Sequence, residues 1–427
     1  MVNSFPFRIC ALFALLALWS SFANGATIPI TAGQLVNIRV GNGTTAASST
    51  GLPVTLDVYN VTYTSGLPTG IALAQSIPLP TATSGSPPTS GNRYLTQGGT
   101  ASGEGGLTLS LDGKYMALVG YNNIVGAATN GTGNNGQRVV GILDLSAGTV
   151  DTTTDYADTS TSSAIRNAYT TDGTNIWTAN SAGGVRYITI GGSTSTPLTG
   201  TGVERRVYIY PTASGNQLFT TRQTTTSGGI SGVATVGSPP PPTSGTPTLT
   251  ELPGMPVATA TESAYDYFFA DANTLYVADD DSSPSLPGGL QKWTFDSSTS
   301  TWTRVYNLQV NPTGAATKGI KSLAGMVDAS GNVTLFGATT DTTANYLYGF
   351  SDTLANTSAA SVTATKLIDA STFFDTTNTK WNLRGVAIAP LVAAVPEPTT
   401  ASLLVLGFSV YGRAIRRRRA RQVVGKR

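Results

Sequence analysis

One unit recurs along this chain and constrains its fold more than anything else. It is a strand of mostly small residues, a tight turn, then a strand with an aromatic or aliphatic residue at its centre. It occurs at residues 106–121 (GLTLSLDGKYMALVGY), 167–180 (NAYTTDGTNIWTAN), 207–221 (VYIYPTASGNQLFTT), 267–280 (YFFADANTLYVADD) and 324–340 (AGMVDASGNVTLFGATT). The turns at Asp112-Gly113, Asp172-Gly173, Ser214-Gly215-Asn216, Ala272-Asn273 and Ser330-Gly331-Asn332 carry hairpin chemistry, with residues that tolerate positive φ between alternating strands. Successive turns lie about 40–60 residues apart, the period of a four-stranded propeller blade with its loops.

Two further strand-like runs follow each unit, which makes five complete blades. The remainder makes a sixth. Residues 383–390 (LRGVAIAP) read as a first strand with nothing after it. Residues 34–40, 53–60 and 72–79 read as three strands with no first strand. Joined, they close the ring, because an unpaired edge between first and last blades invites aggregation. The expectation is an all-β, single β-propeller of six four-stranded blades spanning residues 27–392. Seven blades is the alternative, since the Pro/Ser/Gly/Thr-rich stretches 81–91 and 237–245 have room to hide strands and otherwise read as exposed, flexible connectors. Only 11% of residues are charged, which disfavours long exposed helices.

The ends are different in kind. Residues 1–26 carry Arg8, an apolar run from Ile9 to Trp19, and small residues at Ser21, Ala23, Gly25 and Ala26. This is the form of a secretory signal peptide, with an uncleaved anchor as the alternative. The single cysteine, Cys10, precedes most of the apolar run, so it is not placed as a lipoprotein cysteine would be. Residues 393–427 hold Pro396-Glu397-Pro398, an apolar run from Ala401 to Tyr411, and the block Arg416, Arg417, Arg418, Arg419. Two prolines keep the backbone extended, the apolar run suits a short transmembrane helix, and the arginines stay cytoplasmic. Arg413 interrupts the apolar segment and shortens it.

That order of motifs resembles the PEP-CTERM sorting signal read by exosortases in Gram-negative bacteria, often makers of exopolysaccharide. The resemblance covers about the last 32 residues. It implies that Pro396, Glu397 and Pro398 are the recognition tripeptide and Arg416–Arg419 the terminal basic cluster. It implies signal peptidase and exosortase as processing partners, and a transient stay in the inner membrane. Export to the cell envelope, cell surface or extracellular matrix follows. The body, through residues 35–44, 269–280, 289–294 and 384–390, is similar to bacterial exported propeller proteins of unassigned function. That similarity brings no active site with it.

Of the 25 bases, eight lie in Arg413–Arg427 and one is Arg8, and neither stretch holds an acid; 16 bases against 23 acids leave the body near −7. An acidic body offers no footprint for nucleic acid. The chain has no histidine, which excludes Ser-His-Asp triads and histidine-ligated metals, and no body cysteine, which excludes thiolate chemistry and disulfides. Carboxylate chemistry and Ca²⁺ binding survive this inventory. Asp279, Asp280 and Asp281 follow a strand and form the candidate Ca²⁺ cluster, against a plain solvated turn. Glu104, Glu262 and Asp266 open or precede first strands, which line a propeller's channel. Arg166, Arg205, Arg206 and Arg384 stand in similar places, suited to an anionic sugar or to pairing with those acids. Trp177, Trp293, Trp302 and Trp381 read as blade core. The expected function is therefore non-enzymatic: an exported protein that binds exopolysaccharide or an envelope protein. The alternative is a carboxylate-dependent, glycan-active enzyme with its site in the channel. No cofactor other than Ca²⁺ is expected.

Overall fold

The computed structural model describes residues 28–391 except 45, 102, 129–136, 159–162, 201, 224–228, 256–262, 284–285, 311–318, 341–344 and 371–380. The signal-peptide and sorting-tail segments, and Glu262, lie outside the described residues. Among the described residues no helix is long and apolar enough to cross a membrane.

The chain opens with β1 (Leu35–Val40), β2 (Gly51–Thr64) and β3 (Leu67–Pro78), then the short β4 (Thr96–Gly98). Next come β5 (Leu107–Leu109), β6 (Tyr115–Tyr121), β7 (Arg138–Asp144) and β8 (Thr149–Tyr156). The second group is β9 (Ile165–Thr170), β10 (Asn175–Asn180), β11 (Gly184–Thr189) and β12 (Thr196–Pro197). The third is β13 (Val203–Thr212), β14 (Gly215–Gln223), β15 (Val233–Val236) and β16 (Leu249–Glu251). The fourth is β17 (Ala264–Phe269), β18 (Thr274–Ser283), β19 (Leu286–Asp296) and β20 (Thr301–Leu308). The fifth is β21 (Ile320–Val327), β22 (Asn332–Thr339), β23 (Tyr346–Thr353) and β24 (Thr363–Asp369), and the fold ends on β25 (Asn382–Ile388).

The protein is an all-β propeller. Each of the last four groups is a separate four-stranded antiparallel sheet. The expected six separate blades, or seven, are corrected to four. The other strands are hydrogen-bonded into one nine-stranded sheet. The cause is β4, which pairs with β2 through Gly51–Pro53 and with β6 through Tyr121, fusing two expected blades. The stretches 81–91 and 237–245 hold no strand, but both are tied down: Trp177 Nε1 donates to the Pro242 carbonyl at 2.7 Å and Asn122 Nδ2 to that of Pro88 at 2.8 Å.

The two chain ends meet as expected. β25 pairs antiparallel with β1, Asn37 opposite Val386, and every residue of β25 is buried. Gly113, Gly173 and Gly331 take the positive φ their hairpins demand (72°, 78° and 79°).

Six strands surround the axis, and polar groups tie each to the next. Thr108 Oγ1 donates to the Ala168 carbonyl at 2.6 Å, Val207 N–H to Asn167 Oδ1 at 2.9 Å, and Leu323 N–H to Asp266 at 3.0 Å. Arg206 reaches Asp266 at 3.2 Å, Val386 N–H donates to Ser322 Oγ at 3.0 Å, and Gly385 N–H to the Gly105 carbonyl at 2.7 Å. These strands belong to different ladders, so side chains and single backbone bonds satisfy groups that a continuous sheet would otherwise pair. Apolar clusters fill the spaces between sheets, with Trp177, Trp293 and Trp302 buried there as expected. One polar lock interrupts them. The fully buried Lys292 ammonium donates to the carbonyls of Thr353, Asn356 and Leu354 (2.7, 2.8 and 3.0 Å) beside Asp352, which also accepts from Tyr276 and Tyr306.

Candidate functional site: a two-ended axial channel

Five axial strands carry the same irregularity at the same level. β9 skips Arg166 in its pairing with β10, and β13 skips Arg205 against β14. β17 skips Tyr265, β21 skips Lys321, and β25 skips Arg384 together with Gly385. A bulge leaves its extra residue out of the ladder and re-aims the side chain. Here the five bulges deliver four cations and a tyrosine to one end of the axis.

Tyr265 is their centre. Arg205 and Arg206 lie over its ring, each at 4.7 Å, and Lys321 at 4.9 Å. Arg166 Nη1 donates to its hydroxyl at 3.4 Å, and that hydroxyl donates to the Gly103 carbonyl at 2.5 Å. Burial alone pushes the phenol's pKa up. Arg166, Arg206, Lys321 and Arg205 outweigh it and hold the phenol below the usual tyrosine range.

Three carboxylates answer the five cations. Asp280 bridges Arg205 (3.0 Å) and Lys321 (3.1 Å), and Asp266 pairs with Arg206. Glu104 sits 3.8 Å from Arg384. Despite its burial, Asp280 is held below the usual carboxylate range by Arg205 and Lys321. Burial pushes the Glu104 carboxyl up, against Arg384 and the donors Gly98 N–H and Tyr121 Oη. Arg166 has no carboxylate within ion-pair distance among the described residues, and its buried Nε has no hydrogen-bond partner. Among the described residues, five cations thus stand against three carboxylates around Tyr265 and Arg384.

The sequence-derived candidates fall into place unevenly. Arg166, Arg205, Arg206, Arg384, Glu104 and Asp266 do gather at the axis. Arg384 is spent on the Gln97 side chain and the Gly98 and Gly99 carbonyls, and Arg206 on its own lattice of carbonyls, so both act as braces. Glu104 and Asp266 are held by separate cations and separate N–H donors, an arrangement that stabilises each as a structural acceptor. Asp279, Asp280 and Asp281 do not converge. Asp279 accepts from Gln291 Nε2 (2.8 Å) and the Ser263 and Asp281 amides, while Asp280 faces the axial cations. No group of three or more acids able to hold a metal occurs among the described residues. Adjacent strand residues point to opposite faces, which is what splits the triplet.

The other end of the axis is apolar. A cavity of ≈ 250 Å³ opens there, walled by all six axial strands: Leu107, Leu109–Leu111, Tyr169, Tyr208–Pro211, Tyr267–Phe269, Leu323–Gly325 and Val386–Ile388. Rings run along one side of it, with Tyr169–Tyr208 at 5.5 Å, Tyr208–Tyr267 at 5.1 Å and Tyr210–Phe269 at 4.8 Å between centroids. The buried Arg206–Asp266 pair lies between the two ends: Asp266 accepts from the amides of Leu323 and Tyr267, residues of the cup wall, and Arg206 lies at the charged end. Sequence reasoning missed this cup. Its signal is an aromatic on successive first strands, at Tyr169, Tyr208 and Tyr267.

No family model and no curated protein matches the chain. Solved structures do resemble it. The GH74 xyloglucanase from Xanthomonas campestris is 10% identical over 81% of this chain and 46% of its own, with a TM-score of 0.37. YCF48 bound to a D1 peptide is 12% identical over 81% of this chain and 86% of its own, again at 0.37. A chain of the COPII outer coat vertex is 12% identical over 60% of this chain and 62% of its own, also at 0.37. The chain thus spans less than half of the xyloglucanase. None of these likenesses bears on substrate, partner or activity.

Proposed function

We propose that this is an exported envelope or matrix protein that binds, without chemically altering, the anionic groups of an acidic exopolysaccharide at the charged end of its axis. The observation that carries this reading is the set of aligned bulges, which bring Arg166, Arg205 and Lys321 around Tyr265 and leave Arg166 without an ion-paired carboxylate among the described residues. A carboxylate on the ligand supplies the acceptor that Arg166 lacks, and a charge-assisted bond there is worth about 1.5–3 kcal/mol. The body should bind polygalacturonate and not dextran, in a titration calorimeter, and lose affinity as salt rises. Arg166→Glu should weaken binding about 10-fold or more, and it should also lower the melting temperature, because it sets a carboxylate near the buried Glu104 and Glu204. Equal affinity for the neutral polymer, or indifference to Arg166→Glu, sinks the reading. Release of reducing ends from the polymer would favour a glycan-active enzyme instead.

Export supports the same reading. The leader and the Pro396-Glu397-Pro398 tail with its arginine block fit a protein delivered to the envelope by signal peptidase and an exosortase. Mass spectrometry of the native protein should find a C-terminus near the Pro-Glu-Pro tripeptide, without Arg416–Arg419. An intact tail would count against sorting.

A further inference from the structure

We infer that the outer edge of β3 is a self-association site, where a second copy of this chain pairs its own β3 antiparallel to the first. β3 is bonded to β2 on one side, and among the described residues no strand lies on the other. An open edge offers free N–H and C=O groups to any passing strand, and proteins blunt such edges by shortness or by charge. The other outer strands of this fold follow that rule. β12 and β16 hold only two and three residues. β8 carries Asp151 and Asp155, β20 carries Arg304, and β24 carries Lys366 and Asp369. β3 has 12 residues and no charge. The sequence holds no acid or base anywhere between Asp57 and Arg93.

Exposed apolar side chains gather at the same edge. Among the described residues the large ones are Ile28, Tyr63, Leu73 and Leu391. Leu73 is on β3, between the exposed Ala72 and Ala74. Tyr63 stands opposite Pro68 in the β2–β3 ladder, and the Ile28 carbonyl accepts from Gln75 Nε2 at 2.9 Å. Apolar surface gathered in one place marks an interaction site. The edge is also held in place, because Pro68 is buried and Ile71 packs on the cluster that contains Tyr59 and Leu347.

Two features select a second copy as the occupant. β3 bulges at Thr69 and Ala74, which β2 leaves unpaired, so the straight run is Gly70–Leu73. Two β3 strands related by a two-fold axis between Ile71 and Ala72 set Gly70 opposite Leu73 and put all four bulges outside the paired run. The second feature is charge. Copies of an acidic body repel one another, and an edge without charge is where they can approach. So short a pairing buries less than the roughly 1,200 Å² of a stable complex, which places the dissociation constant at about 10–100 μM.

The test is sedimentation equilibrium of the folded body, residues 27–392, from about 1 to 300 μM. Dilution on a sizing column separates so weak a pair. The mass should rise from one copy to two and stop there, because a two-fold contact closes on itself. The double variant Ala72→Lys/Leu73→Lys should raise the dissociation constant about 10-fold or more at unchanged melting temperature, since both side chains are exposed and lysines on an open edge repel their symmetry mates. Hydrogen exchange at the Gly70–Leu73 amides should slow with concentration in the unaltered body and not in the variant. A body that stays monomeric up to about 300 μM overturns the inference, whether the edge is idle or serves another chain. So does a dimer that survives the two lysines, or one that leaves exchange at Gly70–Leu73 unchanged.

Discussion

Arg206→Ala is expected to cost the body about 3–5 kcal/mol, the range for leaving a buried charge without its partner. Arg206 is 2% exposed and its guanidinium serves four axial strands at once. Nε pairs with Asp266 at 3.2 Å; Nη1 donates to the carbonyls of Arg166 (3.2 Å) and Arg205 (3.1 Å); Nη2 donates to that of Lys321 (3.3 Å). Alanine would strand the buried Asp266 carboxylate and three carbonyls, and withdraw one cation from the Tyr265 ring. A domain's whole stability is roughly 5–15 kcal/mol, so a large share is at stake. Arg206→Lys should recover only part of the loss, because an ammonium cannot reproduce the fork. The double variant Arg206→Met/Asp266→Leu should likewise recover only part of it, since it removes the stranded carboxylate but leaves three carbonyls and the amides of Leu323 and Tyr267 without these partners. Urea unfolding followed by tryptophan fluorescence measures all three. A loss under about 1 kcal/mol for Arg206→Ala would show that the axis is not held from this residue.

What the sequence discloses here is repetition, and what it conceals is contact between repeats. The strand pairs around Asp112-Gly113 and Asp172-Gly173 are legible because a two-residue turn and alternating burial are local properties. Closure by the terminal strands is legible as well, through a first strand with no followers and three followers with no first strand. β4 is not legible. It is three residues long, it has no periodicity, and its pairing with β2 and β6 decides that two groups fuse into one sheet. The bulges escape for a related reason. Arg166 and Arg384 stand out as charges at first strands, but only pairing with the second strand shows that they are extra residues. Lys321 and Tyr265, which complete the cluster, carry no local mark. The cup aromatics hide behind period two, because a side chain facing a channel and one facing a neighbouring sheet alternate identically. The acidic triplet misleads in the opposite direction: three neighbouring carboxylates look like a ligand set until strand alternation sends them apart.

Removing β25 is expected to prevent the body from folding altogether. A chain ending at Lys380 would lose Leu383, Val386 and Ile388 from the core, about 1.5–3 kcal/mol for each buried aliphatic, before any lost ladder is counted. It would also lose the acceptors of Asn37 Nδ2, the carbonyls of Arg384 and Gly385, and the Arg384 side chain that braces Gln97 and Gly98. Together these approach the whole stability of a domain. β1 would become an open edge, a template for pairing with other chains. Size-exclusion chromatography should find aggregate or nothing. A chain ending at Ala394 keeps β25 and its partner intact and should elute as a folded monomer with the melting behaviour of the body. The contrast bears on delivery. If the tail is cut near Pro396-Glu397-Pro398, as we propose, the cut falls at least seven residues beyond Ile388, the end of β25. The closing strand would then be in place before the cut and remain in place after it. Should the chain ending at Lys380 prove monomeric and as stable as the one ending at Ala394, closure by the two termini would not be what holds this ring together.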